Sequence, residues 1–249
     1  MPPHINPAVY GQVNNCLQGL STHILSENLR ANDGTLGIRK VMFCGAGIGV
    51  GTTSTCLAFA RFLARRSKRR LLLLDANFSR PSLHKTLKQK VSPGLAEMLM
   101  GKVEGIEPVA MDNGSFHFLP AGDMVALQDS LIFSESLATG IWDHFLNDFD
   151  LIILDAAPPA LFSETLSLAA TMDGVILVSR AESTRAAVCS YATAQLNQAG
   201  AKILAGVVNR RKFHIPQAVF KLIYEGSLRG VLDFSAWKKK PTLKLFNKR

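Results

Sequence analysis

Apolar residues along the chain recur with two different periods. Val9, Val13, Cys16, Leu17, Leu20 and Ile24 repeat at helical spacing, which predicts an amphipathic helix ahead of the main core. Asn32-Asp33-Gly34 supplies turn chemistry after it. From there, short apolar runs alternate with helix-length segments. The runs Lys40–Cys44, Leu71–Asp75, Phe116–Leu119, Leu151–Asp155, Val175–Ser179 and Ile203–Asn209 read as six strands. Between the first two, Cys56, Phe59, Ala60, Leu63 and Ala64 mark the apolar face of a helix. Strands that are apolar throughout, rather than on alternate residues, are covered on both faces. The predicted fold class is therefore α/β, a parallel β-sheet with helices on both faces. The expected organisation is an N-terminal helical segment at 1–36, one α/β domain at 37–236 and a basic tail at 237–249.

In such sheets, ligands bind beyond the carboxyl ends of the strands. The polar candidates fall there. Gly45-Ala46-Gly47-Ile48-Gly49-Val50-Gly51 follows the first strand, and the hydroxyls of Thr52, Thr53 and Ser54 open the next helix. Glycines let backbone amides converge on phosphate oxygens, and the helix start adds free amides and its dipole. A standard phosphate loop reads GxxxxGK[ST]. Here Thr52 stands at the lysine position and Ala46 at the first glycine, while Thr53 keeps the hydroxyl that would reach Mg²⁺. A lost charged hydrogen bond of this kind weakens binding by about 1.5–3 kcal/mol. Asp75 and Asp155 end two strands and form a candidate Mg²⁺ site beside the loop. Arg180 and Asn209 end two more.

Composition narrows the choice of partner. A net charge of +9 over 249 residues favours anionic ligands: nucleotide, anionic lipid, nucleic acid or acidic polysaccharide. Cys16, Cys44, Cys56 and Cys189 have no metal or redox spacing and read as reduced core residues. The first ten residues lack the pattern of a signal peptide, and no apolar run is long enough to span a bilayer, so a cytoplasmic location is expected. Two basic clusters stand out. Arg61, Arg65, Arg66, Lys68, Arg69 and Arg70 end the loop helix. Lys238, Lys239, Lys240, Lys244, Lys248 and Arg249 form a tail suited to solvent or to an anionic membrane surface. Aromatic interleaving is sparse, which disfavours nucleic acid.

In order, the ENLRAN segment, the glycine loop, LLLLDANFSRPSLH, FHFLPAG, FDLIILDAAPP, DGVILVSRAESTR and VVNRRKFHIP resemble the bacterial tyrosine kinases, P-loop proteins of capsule and exopolysaccharide assembly. The resemblance runs from about Glu27 to Ile223. It implies a fold of the deviant P-loop ATPase type, similar to ParA and MinD, that takes ATP or ADP with Mg²⁺. It implies that Gly47, Gly49, Gly51, Thr52, Thr53 and Ser54 cradle the phosphates, and that Thr53, Asp75 and Asp155 hold or orient the metal and the attacking group. Asn209 would read the adenine edge. The implied partner is a membrane polysaccharide co-polymerase or chain-length regulator, with a homo-oligomer as a further expectation.

Several chemical parts depart from the family pattern. Thr52 replaces the lysine, Asn77 replaces the second acid of a DxD pair, and Asp155-Ala156-Ala157-Pro158-Pro159 carries an extra spacer residue. The only tyrosines are Tyr10, Tyr191 and Tyr224, so the tyrosine-rich tail is missing, and only Arg30 of the oligomerising helix survives. These departures predict a degenerate member that regulates by binding. The alternatives are an active ATP-dependent tyrosine kinase with a substitute for the lysine, and a partitioning ATPase of the ParA/MinD type. The latter class keeps an early loop lysine where this chain has Gly47.

Overall fold

The computed structural model describes residues 15–24, 37–103, 105–123 and 140–210. Within them a seven-stranded sheet runs in the order β3-β4-β2-β5-β1-β6-β7. Its strands are β1 (Lys40–Gly45), β2 (Leu71–Ala76), β3 (Val109–Met111), β4 (Phe116–Leu119), β5 (Leu151–Ala156), β6 (Gly174–Arg180) and β7 (Ile203–Asn209). Every pairing is parallel except that of the edge strand β3 with β4. The six strands read from the sequence are present to within a residue or so at their ends. The additional strand β3 makes the sheet mixed. It is three residues long and largely exposed, so it carries no apolar run to read.

The alternation of side chains along each strand divides the core in two. Phe43, Leu73, Ile153 and Val178 face one side, and α1 (residues 15–24), α2 (Thr52–Ala64) and α3 (Leu83–Leu87) cover them. Met42, Leu74, Leu154 and Leu177 face the other. There they meet α4 (Leu95–Leu99), α5 (Ile141–Asp148), α6 (Ser163–Ala170) and α7 (Ala186–Gln198). Every residue of β2 and β5 is buried, as expected of central parallel strands. Leu17, Leu20 and Ile24 of α1 pack into the first cluster, so the predicted amphipathic helix exists where it is described. Cys44 and Cys56 are buried thiols, as their positions predicted, whereas Cys16 is exposed and Cys189 half-buried, so these two are not core residues.

Chain contacts divide the protein into units at 1–209 and 210–249. The Asn32-Asp33-Gly34 turn, Arg30, Tyr10, Tyr224, both segment boundaries (36/37 and 236/237) and the basic tail lie outside or at the limits of the described residues. No described helix is long and apolar enough to cross a membrane.

Candidate functional site

The site is built around the end of β1, where the order of connections reverses: β2 and β5 lie on one side, β6 and β7 on the other. As the chain leaves β1, the Ala46 amide donates to the Val178 carbonyl of β6 at 2.8 Å, which fixes the loop's origin. The loop closes tightly over Gly45. A β-carbon there would lie 2.7 Å from Thr52 Oγ1 and 2.8 Å from the Gly47 carbonyl oxygen. Gly49 and Gly51 both take positive φ, at 73° and 91°. Gly51 is the N-cap of α2, no side chain caps that helix, and its first turn has no acid. The first amide to find an acceptor within the helix is that of Thr55, bonded to the Gly51 carbonyl at 3.0 Å. The Thr52, Thr53 and Ser54 amides thus precede the ladder, at the positive end of a 13-residue helix. This end is chemically suited to phosphate oxygens.

On the β2 and β5 side, Asp75 and Asp155 are register partners on adjacent strands. Each sits two residues beyond a core residue of the α2 face, Leu73 and Ile153, so both carboxylates point under the start of α2. Both are fully buried. Their surroundings differ sharply. Asp75 Oδ1 accepts the Asn77 amide at 3.1 Å, and Oδ2 accepts the amides of Ser82 and Leu83 at 3.1 and 3.0 Å. Burial pushes its pKa up to about 6, against the pull of those three amides. Neither oxygen of Asp155 has a well-formed hydrogen bond. Burial and the neighbouring Asp75 raise its pKa well above the usual carboxylate range, and the nearby Thr53 hydroxyl offsets this only in part.

An unpartnered buried carboxylate beside a hydroxyl and free amides fits a hydrated divalent cation carried in with phosphates. Among the described residues, no three His, Cys, Asp or Glu side chains converge as a metal cluster. A cation held here would therefore draw its remaining oxygen ligands from a nucleotide and water.

On the other side of β1, the Asn209 amide nitrogen at the end of β7 donates to the Val50 carbonyl of the loop at 2.9 Å. Asn209 clamps the glycine loop, a contact that the adenine-edge role does not mention. Arg180 ends β6 beside Asn209, with its own amide held by Thr184 Oγ1 at 2.9 Å. The glycine loop, Thr52, Thr53, Ser54, Asp75, Asp155, Arg180 and Asn209 thus line one edge of the sheet. Sequence reading did not find the Val50 carbonyl, the Ser82 and Leu83 amides or the Val178 carbonyl. These are backbone groups and leave no mark in side-chain identity.

A glycine-rich loop leading to an uncapped helix, with acidic strand ends on the same edge of a mainly parallel sheet, defines a P-loop nucleotide-binding fold of the ParA/MinD type. No protein-family model matches the chain. Its curated relatives include CapB of Staphylococcus aureus, named for a tyrosine-protein kinase, at 26% identity over 56% of this chain and 61% of that one. They also include the chromosome-partitioning ATPase Soj of Thermus thermophilus, at 32% identity over 58% and 56%. The chain thus spans about three fifths of the length of these relatives. Among solved structures, the kinase domain of Escherichia coli tyrosine kinase ETK superposes with a TM-score of 0.68 at 22% identity, covering 82% of this chain and 79% of that one. The VpsO kinase domain superposes at 0.60 with 25% identity, covering 80% and 98%. CpsD of Streptococcus agalactiae and YwqD of Bacillus subtilis, both named as tyrosine-protein kinases, match at 26% and 23% identity, so the chain is similar to the bacterial tyrosine kinases.

Proposed function

We propose that this protein is a nucleotide-binding regulator of capsule or exopolysaccharide assembly, a tyrosine-kinase-like protein whose phosphoryl transfer is weak or lost. One observation carries the reading. The phosphate cradle and the unpartnered Asp155 are intact, yet position 52 holds a threonine whose hydroxyl lies against the loop's own backbone at Gly45. The glycine loop and the amides of Thr52, Thr53 and Ser54 hold the α- and β-phosphates of ATP or ADP. Thr53 and Asp155 hold Mg²⁺, which neutralises phosphate charge when bound, while Asp75 is committed to its three amides. The loop itself holds no lysine for the γ-phosphate, where charge develops during transfer. The protein acts by docking on a membrane co-polymerase, peripheral to the inner face of the plasma membrane, with the basic tail adding attraction to anionic lipid. The likeness to Soj favours a partitioning ATPase as the second reading, and Gly47 at the early lysine position weighs against it.

Titration calorimetry with Mg²⁺ and ATP is expected to give a dissociation constant on the order of tens of micromolar or weaker. Thr52→Lys is expected to tighten it by roughly 10- to 100-fold, the worth of one charged hydrogen bond. Submicromolar affinity in the unaltered protein would show that another cation does the lysine's work.

Purified protein incubated with labelled ATP is expected to show no phosphotyrosine. Robust label on Tyr191 or Tyr224 would establish an active kinase and end the degenerate reading.

A further inference from the structure

The cations at the far end of α2 fall into two groups. Arg61 is paired with Asp112 at 2.9 Å, and Arg70 with Asp150 at 3.2 Å. Arg39 donates to the Leu146 and Phe149 carbonyls at 2.6 and 3.1 Å, and Lys40 lies 3.7 Å from Asp173. These cations fasten the amino-terminal edge of the sheet to the elements around it. Arg66 lies over the Phe62 ring at 4.1 Å. Arg65, Lys68 and Arg69 do none of this: among the described residues their side chains make no hydrogen bond or ion pair. They occupy the connection between α2 and β2, where residues 61–70 carry six cations and no acid.

Beside Arg65 is a shallow depression of about 340 Å³, lined also by Ala64, by the paired Arg61 and Asp112, and by Asn113 and Ser115 from the turn between β3 and β4, with the Asp112 carboxylate offset by Arg61. α2 rises about 1.5 Å per residue, so this surface lies roughly 20 Å from the phosphate loop, on the opposite edge of the sheet. A ligand on it leaves the nucleotide site open.

We propose that this surface docks the folded domain onto an anionic phospholipid leaflet, with Arg65, Lys68 and Arg69 as the principal contacts and the depression beside Arg65 receiving a head-group phosphate. The inference rests on the reading that the protein works at the inner membrane surface, and adds that the folded domain has its own membrane-facing side. The chemistry selects this partner over others. No large apolar side chain of residues 61–70 is exposed, so the surface lacks the apolar centre of a protein interface. It offers no exposed aromatic ring for stacking nucleic-acid bases. Long cations without an ion-pair partner among the described residues, spread along a loop, suit a fluid array of phosphates, to which each contributes independently.

The test is vesicle co-sedimentation of the full chain with phosphatidylserine-containing and with neutral phosphatidylcholine vesicles, at low and at physiological salt. Three variants accompany it: Arg65→Gln/Lys68→Gln/Arg69→Gln, a chain with the six tail cations changed to Gln, and both sets combined. The expected result is salt-sensitive binding to anionic vesicles only. The triple variant should bind about tenfold more weakly with unchanged melting, and the tail-neutralised chain should retain measurable binding. If the unaltered chain ignores anionic vesicles, the membrane reading itself fails. Should it bind while the triple variant binds equally well, or the tail-neutralised chain not at all, the membrane reading stands and this surface is excluded. Capture by a soluble polyglutamate peptide in preference to vesicles would overturn the lipid assignment in favour of an acidic protein partner.

Discussion

Asp155→Asn is expected to make the nucleotide-free protein more stable, and Asp75→Ala to make it less stable, although the two aspartates occupy equivalent register positions on neighbouring strands. Asp155 is buried with no well-formed hydrogen bond and faces a second carboxylate. Replacing it with a neutral isostere removes a carboxyl whose ionisation the fold suppresses and the unfolded chain allows, a gain of about 1–3 kcal/mol near pH 7. For a protein of this size, each kcal/mol corresponds to about 2–4 °C in melting temperature. Asp75→Ala instead strips the acceptor from the Asn77, Ser82 and Leu83 amides and is expected to cost about 2–4 kcal/mol.

The same variants separate in their response to pH. Asp75 keeps its proton up to a pH of about 6 in the fold, against 3.8 for a free carboxyl, so the folded state binds more protons through that interval. Stability therefore falls as pH rises across it, and Asp155, whose pKa is also raised by burial and by Asp75, adds to the fall. Asp155→Asn should flatten that decline. It should also abolish the added stability that Mg²⁺ with ADP gives the unaltered protein. Melting curves from pH 4 to 8, with and without Mg²⁺–ADP, measure all of this. If Asp155→Asn melts as low as Asp75→Ala, Asp155 has a stabilising partner in solution and is not the open metal ligand.

Gly51→Ala is the second large effect. Gly51 has φ at 91°, where an L-residue is strained by roughly 1–2 kcal/mol. An added β-carbon would also collide with the Asn209 amide nitrogen that holds the Val50 carbonyl. Breaking that contact brings the expected total to about 2–4 kcal/mol, with nucleotide binding lost because α2 would start from a displaced loop. Gly47→Ala is the control. Its β-carbon would meet nothing within 4 Å and its φ is not in the left-handed region, so its stability should change little. A double-mutant cycle isolates the clamp. Gly51→Ala/Asn209→Ala should be less destabilised than the sum of the single changes, because the collision is relieved while the φ strain stays. Strict additivity would mean that Asn209 does not hold the loop.

The amino-acid sequence by itself determined the strands and the edge that carries the chemistry. Strands buried on both faces leave continuous apolar runs, and in β2 and β5 the single polar residue is the aspartate near the carboxyl end. Glycines before a run of hydroxyls mark the loop because they are needed locally, by the turn and by the close approach of backbone. The resemblance to the bacterial tyrosine kinases was legible for the same reason, since its motifs are local. β3 was not, being too short and too exposed to carry a period.

Only the tertiary structure decided what each candidate residue touches. Two aspartates alike in the sequence became a carboxylate held by three amides and one left open, because the 77–83 segment folds back over β2 and, among the described residues, no segment does so over β5. Asn209 found Val50 across 159 residues of chain. Six cations at residues 61–70 separated into Arg61 and Arg70, paired with Asp112 and Asp150, Arg66 over the Phe62 ring, and three that find no ion-pair partner among the described residues. Burial follows from the period of the local sequence. A hydrogen bond or ion pair between distant segments depends on the assembled sheet order, which places its two groups within about 3 Å of each other and which no local pattern encodes.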